Sequence, residues 1–317
     1  MNFMKRMYLK TAYIFLVSGF SALALNAQNP AYKLFREDGK KAKYEKMLEA
    51  ASEADVVLFG EFHTNPISHW LQLELTTDLY EKRGEDLILG AEMFEADNQL
   101  IMDEYLAGHI TETKFEEEAR LWKNYKTDYK PLVLLAREHE LTFVATNIPR
   151  RYANMVFKKG VDALDNLSAE AKAYMAPLPL EYDRSLACYK QLMGAGGGPM
   201  SGDPRGDTLK PMPDTLSPMG GHGSINLADA QAIKDATMSY FILKHWQPGK
   251  LFIHYNGAYH SDEFESMNWF LKRANPDLKI LTISTVSQDE IEQLEEEAVG
   301  KADFIIAVPS NMTQTHR

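Results

Sequence analysis

Two tetrapeptides far apart in the chain, Gly60-Glu61-Phe62-His63 and Gly257-Ala258-Tyr259-His260, share the pattern glycine, two residues, histidine. Each follows a short apolar run of the kind that forms a buried strand, so each glycine falls at a strand end, where it permits a close approach that a side chain would obstruct. A helix start is expected just beyond each histidine: Asn65 and Pro66 mark the first, and Ser261 with Asp262 and Glu263 marks the second. The partly positive helix end disfavours an imidazolium, so the spacing predicts two neutral imidazoles, the form that ligates metals or accepts a proton. Glu61 stands two residues from His63 and projects to the same side of an extended backbone. Glu92 in GAEMFE, and Asn147 and Arg150 in TNIPRR, follow two further apolar runs, which adds polar groups at neighbouring strand ends. His63 and His69 are six apart, which does not match the i, i+4 pair of a helical zinc motif.

A single Gly-x-x-His is a weak signal, and a strand-end histidine is commonly a hydrogen-bonded structural residue. Two copies in matching contexts, with acids nearby, favour a chemical site. Arg150 and Arg151 are either solvated charges or partners for an anionic ligand. Trp122, Tyr125 and Tyr129, spaced i, i+3 and i+7, read as the packed face of a helix, and Gln231 with Asp235 as an exposed i, i+4 pair.

The elements that must position these groups alternate. Strands are expected at 55–59, 87–93, 142–146, 250–255, 278–284 and 302–308, and helices at 66–82, 98–107, 131–139, 226–246, 261–274 and 288–299. This is an α/β pattern with a largely parallel sheet flanked by helices, whose ligands gather beyond the carboxyl ends of the strands. From 193 to 224 the chain is too rich in Gly and Pro for a packed element, and it carries Met193, Met200, Met212, Met219 and His222. That Gly/Pro/Met-rich loop insertion reads as a flexible surface segment, or as a mobile cover whose thioethers meet a soft metal or an iron centre.

Lys5, Arg6 and Lys10 precede an apolar run from Thr11 to Leu25, and small residues lead to Ala27, the layout of a secretory signal peptide. Cleavage after Ala27 is expected, with an uncleaved anchor as the alternative, leaving 28–317 as a single domain that is soluble and exported to the periplasm or outer envelope. Cys188 is the only cysteine, so no internal disulfide forms and no lipid-anchor cysteine lies beside Ala27. Losing residues 1–27 leaves 31 Lys+Arg against 45 Asp+Glu, a net charge of −14, which repels phosphate backbones and argues against nucleic acid as a partner.

GEFHTNPISH, GAEMFE, DEYLAGHIT, WKNYKTDYKPLVLLAREH, TNIPRR, QAIKDATM and NGAYH, in this order between Asp55 and Pro309, together resemble the ChaN-like haem-binding uptake family. Its wider superfamily holds Tiki proteases, TraB proteins and erythromycin esterases. The resemblance implies an α/β fold with an added helical portion and a haem-binding role at the bacterial envelope in iron uptake, with an envelope haem transporter or receptor as partner. Family members are commonly lipoproteins, a feature from which this chain departs. By analogy, two porphyrins stacked between the protomers of a homodimer are the implied assembly.

Histidine, tyrosinate or methionine sulfur can each ligate haem iron. His63, Tyr259 and His260 are the motif-borne candidates, and Arg150 and Arg151 could pair with propionates. Phe62, Met93, Phe94 and Phe264 could supply apolar walls, or be plain core. The rival to a haem carrier is a hydrolase in which Glu61, His63, Glu92 and His260 hold a divalent metal ion, or a histidine acts as a metal-free base. A soft-metal binder using the methionine segment is a third alternative.

Overall fold

The computed structural model describes residues 30–194 and 222–315. Seven strands, β1 (Lys33–Arg36), β2 (Val56–Glu61), β3 (Leu87–Glu95), β4 (Phe143–Asn147), β5 (Leu251–Gly257), β6 (Ile280–Gln288) and β7 (Phe304–Pro309), form one sheet in the order β1-β7-β6-β2-β5-β3-β4. Among the described strands only β1 is antiparallel, against β7; β2 lies in the middle between β6 and β5. Among the described residues the α-helices are α1 (Tyr44–Ser52), α2 (Pro66–Arg83), α3 (Gln99–Leu106), α4 (Glu112–Glu118), α5 (Lys130–Glu138), α6 (Arg150–Lys159), α7 (Ala169–Lys172), α8 (Ala187–Gly194), α9 (His222–His245) and α10 (Met267–Ala274). The expected α/β class with a mainly parallel, helix-flanked sheet is what forms.

Alternation along the strands sorts the core into two layers. Val57, Phe59, Leu89, Ile253 and Tyr255 join one apolar cluster with Leu71, Leu75 and Leu79 of α2 and Leu132 and Val133 of α5. Val56, Leu58, Ile88 and Phe252 face the other way, onto Met238, Phe241 and Ile242 of α9 and Met267 and Leu271 of α10. Because side chains reverse face at every residue, Glu61 leaves β2 on the α2 side, whereas Glu92 leaves β3 on the α9 side. Only the strand ends let groups from the two faces meet.

Local chemistry fixes the elements that matter most. Asn65 accepts from the Ile67 and Ser68 amides at 3.0 Å each, and Pro66 occupies the first turn, so α2 starts three residues after His63. At the exposed edge of the sheet the Gln99 side chain acts as a surrogate strand, accepting from Ala145 N at 2.6 Å and donating to Phe143 O at 3.0 Å, which blunts the open edge of β4.

Three expected elements differ. The helix placed at 261–274 begins only at Met267; Glu263, Phe264 and Ser266 before it adopt positive φ of 59°, 57° and 51°, which no helix accommodates. The helix placed at 288–299 is absent, because β6 runs through Gln288 and that side chain donates at 2.6 Å to Glu290 O and Gln293 O, folding the segment into a loop that ends in a 3-10 turn at Glu296–Ala298. Trp122 precedes a π-type turn at Tyr125–Tyr129 and does not share one helix with it. Strand β1 was not expected from the sequence pattern. Met200, Met212 and Met219 lie outside the described residues, as do residues 1–27, where a leader is expected; Met193 packs at the end of α8.

Candidate functional site

The two tetrapeptides meet. In the parallel register of β2 and β5, Gly60 pairs with Asn256 and Glu61 with Gly257. A Cβ added at Gly60 would lie 2.9 Å from Ala258 Cα, and one added at Gly257 would lie 2.9 Å from His63 Nε2 and 3.0 Å from its Cε1. Each glycine is therefore the surface on which the other motif rests, and each must lack a side chain for that reason. The two histidines, 197 positions apart in the chain, both lie just beyond the carboxyl ends of β2 and β5.

His63 is 5% exposed. Its Nδ1 lies 2.9 Å from Glu61 Oε1, which also accepts from Tyr129 Oη at 2.6 Å. Glu61 Oε2 accepts from the Gln72 amide, and His69, one turn earlier on α2, contacts Gln72 Oε1 at 3.0 Å through Nδ1 and the His63 carbonyl at 3.1 Å through Nε2. Burial alone would raise the Glu61 carboxyl, but the charge of His69 and the hydrogen bond from His63 outweigh it and hold the group below the usual carboxylate range. The contact with Glu61 fixes the orientation of the His63 ring and turns its Nε2 edge towards Gly257. The Trp122 indole meets the His63 ring edge-on, with centroids 4.9 Å apart. Asn124 donates to the His63 carbonyl at 2.6 Å, and Thr315 binds both Asp128 and the Thr64 carbonyl, tying the loop after β2 from outside.

The second motif closes on Glu92. One Glu92 oxygen accepts from Gly257 N at 2.8 Å and the other lies 3.2 Å from His260 Nε2, so a single carboxylate holds both ends of Gly257–His260. His260 Nδ1 lies 2.5 Å from Asp235 Oδ1 on α9, and Asp235 Oδ2 accepts from Tyr189 Oη on α8 at 2.7 Å. Burial works to lower the imidazole, yet the two carboxylates, Glu92 above all, lift its pKa to about 9. His260 is therefore a cation near neutrality, contrary to the neutral ring that the sequence suggests. The physical reason is the late start of α10: no helix end lies beside His260, and two acids do. Glu92 is driven well below its usual range, burial notwithstanding, by that same cation. Burial dominates at Asp235, whose carboxyl is raised.

The remaining candidates are held elsewhere. The Tyr259 hydroxyl donates to the Cys188 carbonyl on α8, and its ring meets His260 edge-on at 6.1 Å. Arg150 and Arg151 open α6 at the neighbouring strand end; Arg151 pairs with Asp97 at 2.6 Å and lies over the Tyr152 ring. Met93 and Phe94 are core, Phe62 is partly buried, and Phe264 is exposed on its strained turn. Asp235, read as helix surface, has no exposure at all, and Tyr129, read as packing, reaches the site with its hydroxyl. Two signals were present: a polar stripe of Ser68, His69, Gln72 and Thr76 on the buried face of α2, and an acid set among Ala232, Ile233 and Ala236 on α9. Among the described residues no three His, Cys, Asp or Glu side chains are gathered so as to hold a metal ion, and no helix is long and apolar enough to cross a membrane.

The sequence matches the profile of the family described as haem-binding uptake, Tiki superfamily, ChaN over residues 47–271, which takes in both motifs and well over half the chain. The chain belongs to the ChaN family. Comparison with solved structures gives ChaN of Campylobacter jejuni, described for its cofacial heme binding, at TM-score 0.62 and 17% identity, covering 87% of this chain and 96% of that one. That likeness shows the shared fold. A mutant of the erythromycin esterase EreC in its open conformation aligns over 90% of this chain and 98% of its own at TM-score 0.48 and 9% identity; a succinoglycan biosynthesis protein aligns over 88% and 94% at 0.47 and 10%. No curated protein sequence matches.

Proposed function

We propose that this ChaN family member is an exported haem-binding protein that serves haem or iron uptake at the bacterial envelope. The observation that carries the proposal is that the family match spans both Gly-x-x-His motifs, which the fold brings face to face at the strand ends. Export is supported by Lys5, Arg6 and Lys10 ahead of the apolar run to Leu25.

His63 fits an iron ligand best. A carboxylate on Nδ1 orients the ring and raises its basicity, the usual support behind a ligating imidazole. His260 and Tyr259 are the further candidates, held here by Glu92 and by the Cys188 carbonyl. Access to His63 requires the Trp122 indole to move from the ring edge, a cover that sits on the irregular segment between α4 and the turn at Tyr125. Arg150 and Arg151 are assigned to the propionates, Arg151 by exchanging its exposed bond to Asp97. Stacked porphyrins between two protomers, and a transporter or receptor that takes the haem, complete the proposal by analogy with the family. Bound haem supplies the iron that uptake delivers; the chain's part is to hold it.

Hemin titration of the purified protein tests this. A saturable Soret shift, weakened in His63→Ala, is expected; no spectral change at saturating hemin refutes it. A second possibility, a metal-free hydrolase, is favoured by one feature, the buried Glu61–His63 pair, which has the geometry of an oriented general base. Ester and peptide turnover by the wild type, lost in folded Glu61→Gln and indifferent to chelator, would establish it.

A further inference from the structure

α9 carries two buried acids: Asp229, which meets Tyr182 and the half-exposed Arg184, and Asp235, which faces the strand-end site. Asp235 has no exposure, and its neighbours on the helix, Ala232, Ile233, Ala236 and Met238, are buried apolar residues. Removing a carboxylate from water costs several kcal/mol unless strong partners meet it, and apolar residues of similar size join a helix to its surroundings at no such cost. The partners are unusually complete. Tyr189 Oη of α8 donates to one oxygen at 2.7 Å, and His260 Nδ1 lies 2.5 Å from the other. Beyond the imidazole the line continues through Nε2 to Glu92 at 3.2 Å, and from the other Glu92 oxygen to Gly257 N at 2.8 Å. Gly257 is the backbone surface against which His63 Nε2 lies. Four elements, α8, α9, the turn after β5 and the end of β3, are thereby linked to the ring proposed to meet iron.

We propose that Asp235, itself oriented by Tyr189, is a positioning residue for the strand-end site: it fixes the His260 ring, which sets the Glu92 carboxylate and, through it, the Gly257 backbone under His63. Asp235 touches no ligand in this arrangement. Its effect on haem rests on the haem-binding proposal, whereas its hold on His260 belongs to the ligand-free protein, and the two separate by experiment.

Asp235→Asn keeps the shape and removes the charge. Outer-sphere partners of ligating groups commonly change affinity about 10- to 100-fold, and a hemin affinity about tenfold weaker with a displaced Soret maximum is expected at unchanged far-ultraviolet circular dichroism. Arg273→Ala, on an exposed side chain, should leave both unchanged. In parallel, the ligand-free proteins are treated with diethylpyrocarbonate and the modified histidines identified by mass spectrometry. Wild-type His260 should resist and that of Asp235→Asn should react, while exposed His109 reacts equally in both. If Asp235→Asn does not fold, Tyr189→Phe, which removes one hydrogen bond to Asp235, serves instead, with a severalfold loss expected. Unchanged His260 reactivity together with wild-type hemin affinity and Soret position overturns the assignment. If the wild type binds no hemin, the haem proposal falls alone, and the labelling of His260 then decides the positioning role by itself.

Discussion

Gly257→Ala isolates the contact between the two motifs. Gly257 has φ −58° and ψ 139°, a conformation that alanine adopts without strain, so the new methyl acts only through what it meets. It would lie 2.9 Å from His63 Nε2, 3.0 Å from Cε1 and 3.6 Å from Glu92 Oε2. Non-bonded atoms of this size rest about 3.5–4.0 Å apart, and the imidazole must retreat by roughly 0.6 Å or more. Retreat is opposed by the Trp122 edge and by the 2.9 Å bond to Glu61. Overpacking of this kind costs about 1–3 kcal/mol, and at roughly 2–4 °C per kcal/mol for a chain of this size class a fall in Tm near 5 °C is expected. The displaced ring should also weaken hemin binding by about tenfold. Differential scanning calorimetry and hemin titration read the two effects. A Gly257→Ala protein with wild-type Tm and hemin affinity would refute the reciprocal packing of the motifs.

His260 gives a pH dependence of definite sign. Its folded pKa of about 9 exceeds the ordinary value, so the ion pairs with Glu92 and Asp235 contribute fully below about pH 6.5 and are lost as pH rises through about 9. Urea unfolding should show the wild type losing more stability than His260→Gln over that interval, and parallel curves would contradict the charge assignment. Arg151→Ala removes a half-exposed pair with Asp97 and should change stability by less than about 1 kcal/mol. Its hemin affinity should fall severalfold at low salt and less at high salt, as titration at two ionic strengths would show.

The class of fold was legible because six of the seven strands are short, apolar and covered on both faces, and Pro66 and Asn65 announce α2 in the plainest terms. β1 escaped because four residues, KLFR, with only two of them buried, carry too little pattern. The start of α10 was misplaced because Ser261, Asp262 and Glu263 have the composition of a first helical turn, yet here Asp262 accepts from Ser284 Oγ and Glu263 N donates to Lys301 O, contacts that no local signal announces. That same error produced the wrong charge on His260. The site's inner members were legible by residue type but not by partner: Asp235, Tyr189 and Tyr129 are ordinary helix residues until α8, α9 and the Tyr125 turn fold onto the strand ends.

Each motif satisfies its histidine with an acid from a different face of the sheet, and the difference decides what each ring can do. Glu61 comes from the first motif itself and lies on the α2 side, where it meets His63 Nδ1, while the Nε2 edge of the ring lies against Gly257. Glu92 comes from the neighbouring strand and lies on the α9 side, where it and Asp235 engage both nitrogens of His260. Two copies of one Gly-x-x-His pattern thus become unlike parts, a ring held by one acid of its own motif and a buried cation held by two acids from elsewhere. Parallel strands offer no other place for this, since side chains on opposite faces of a sheet meet only where the strands stop.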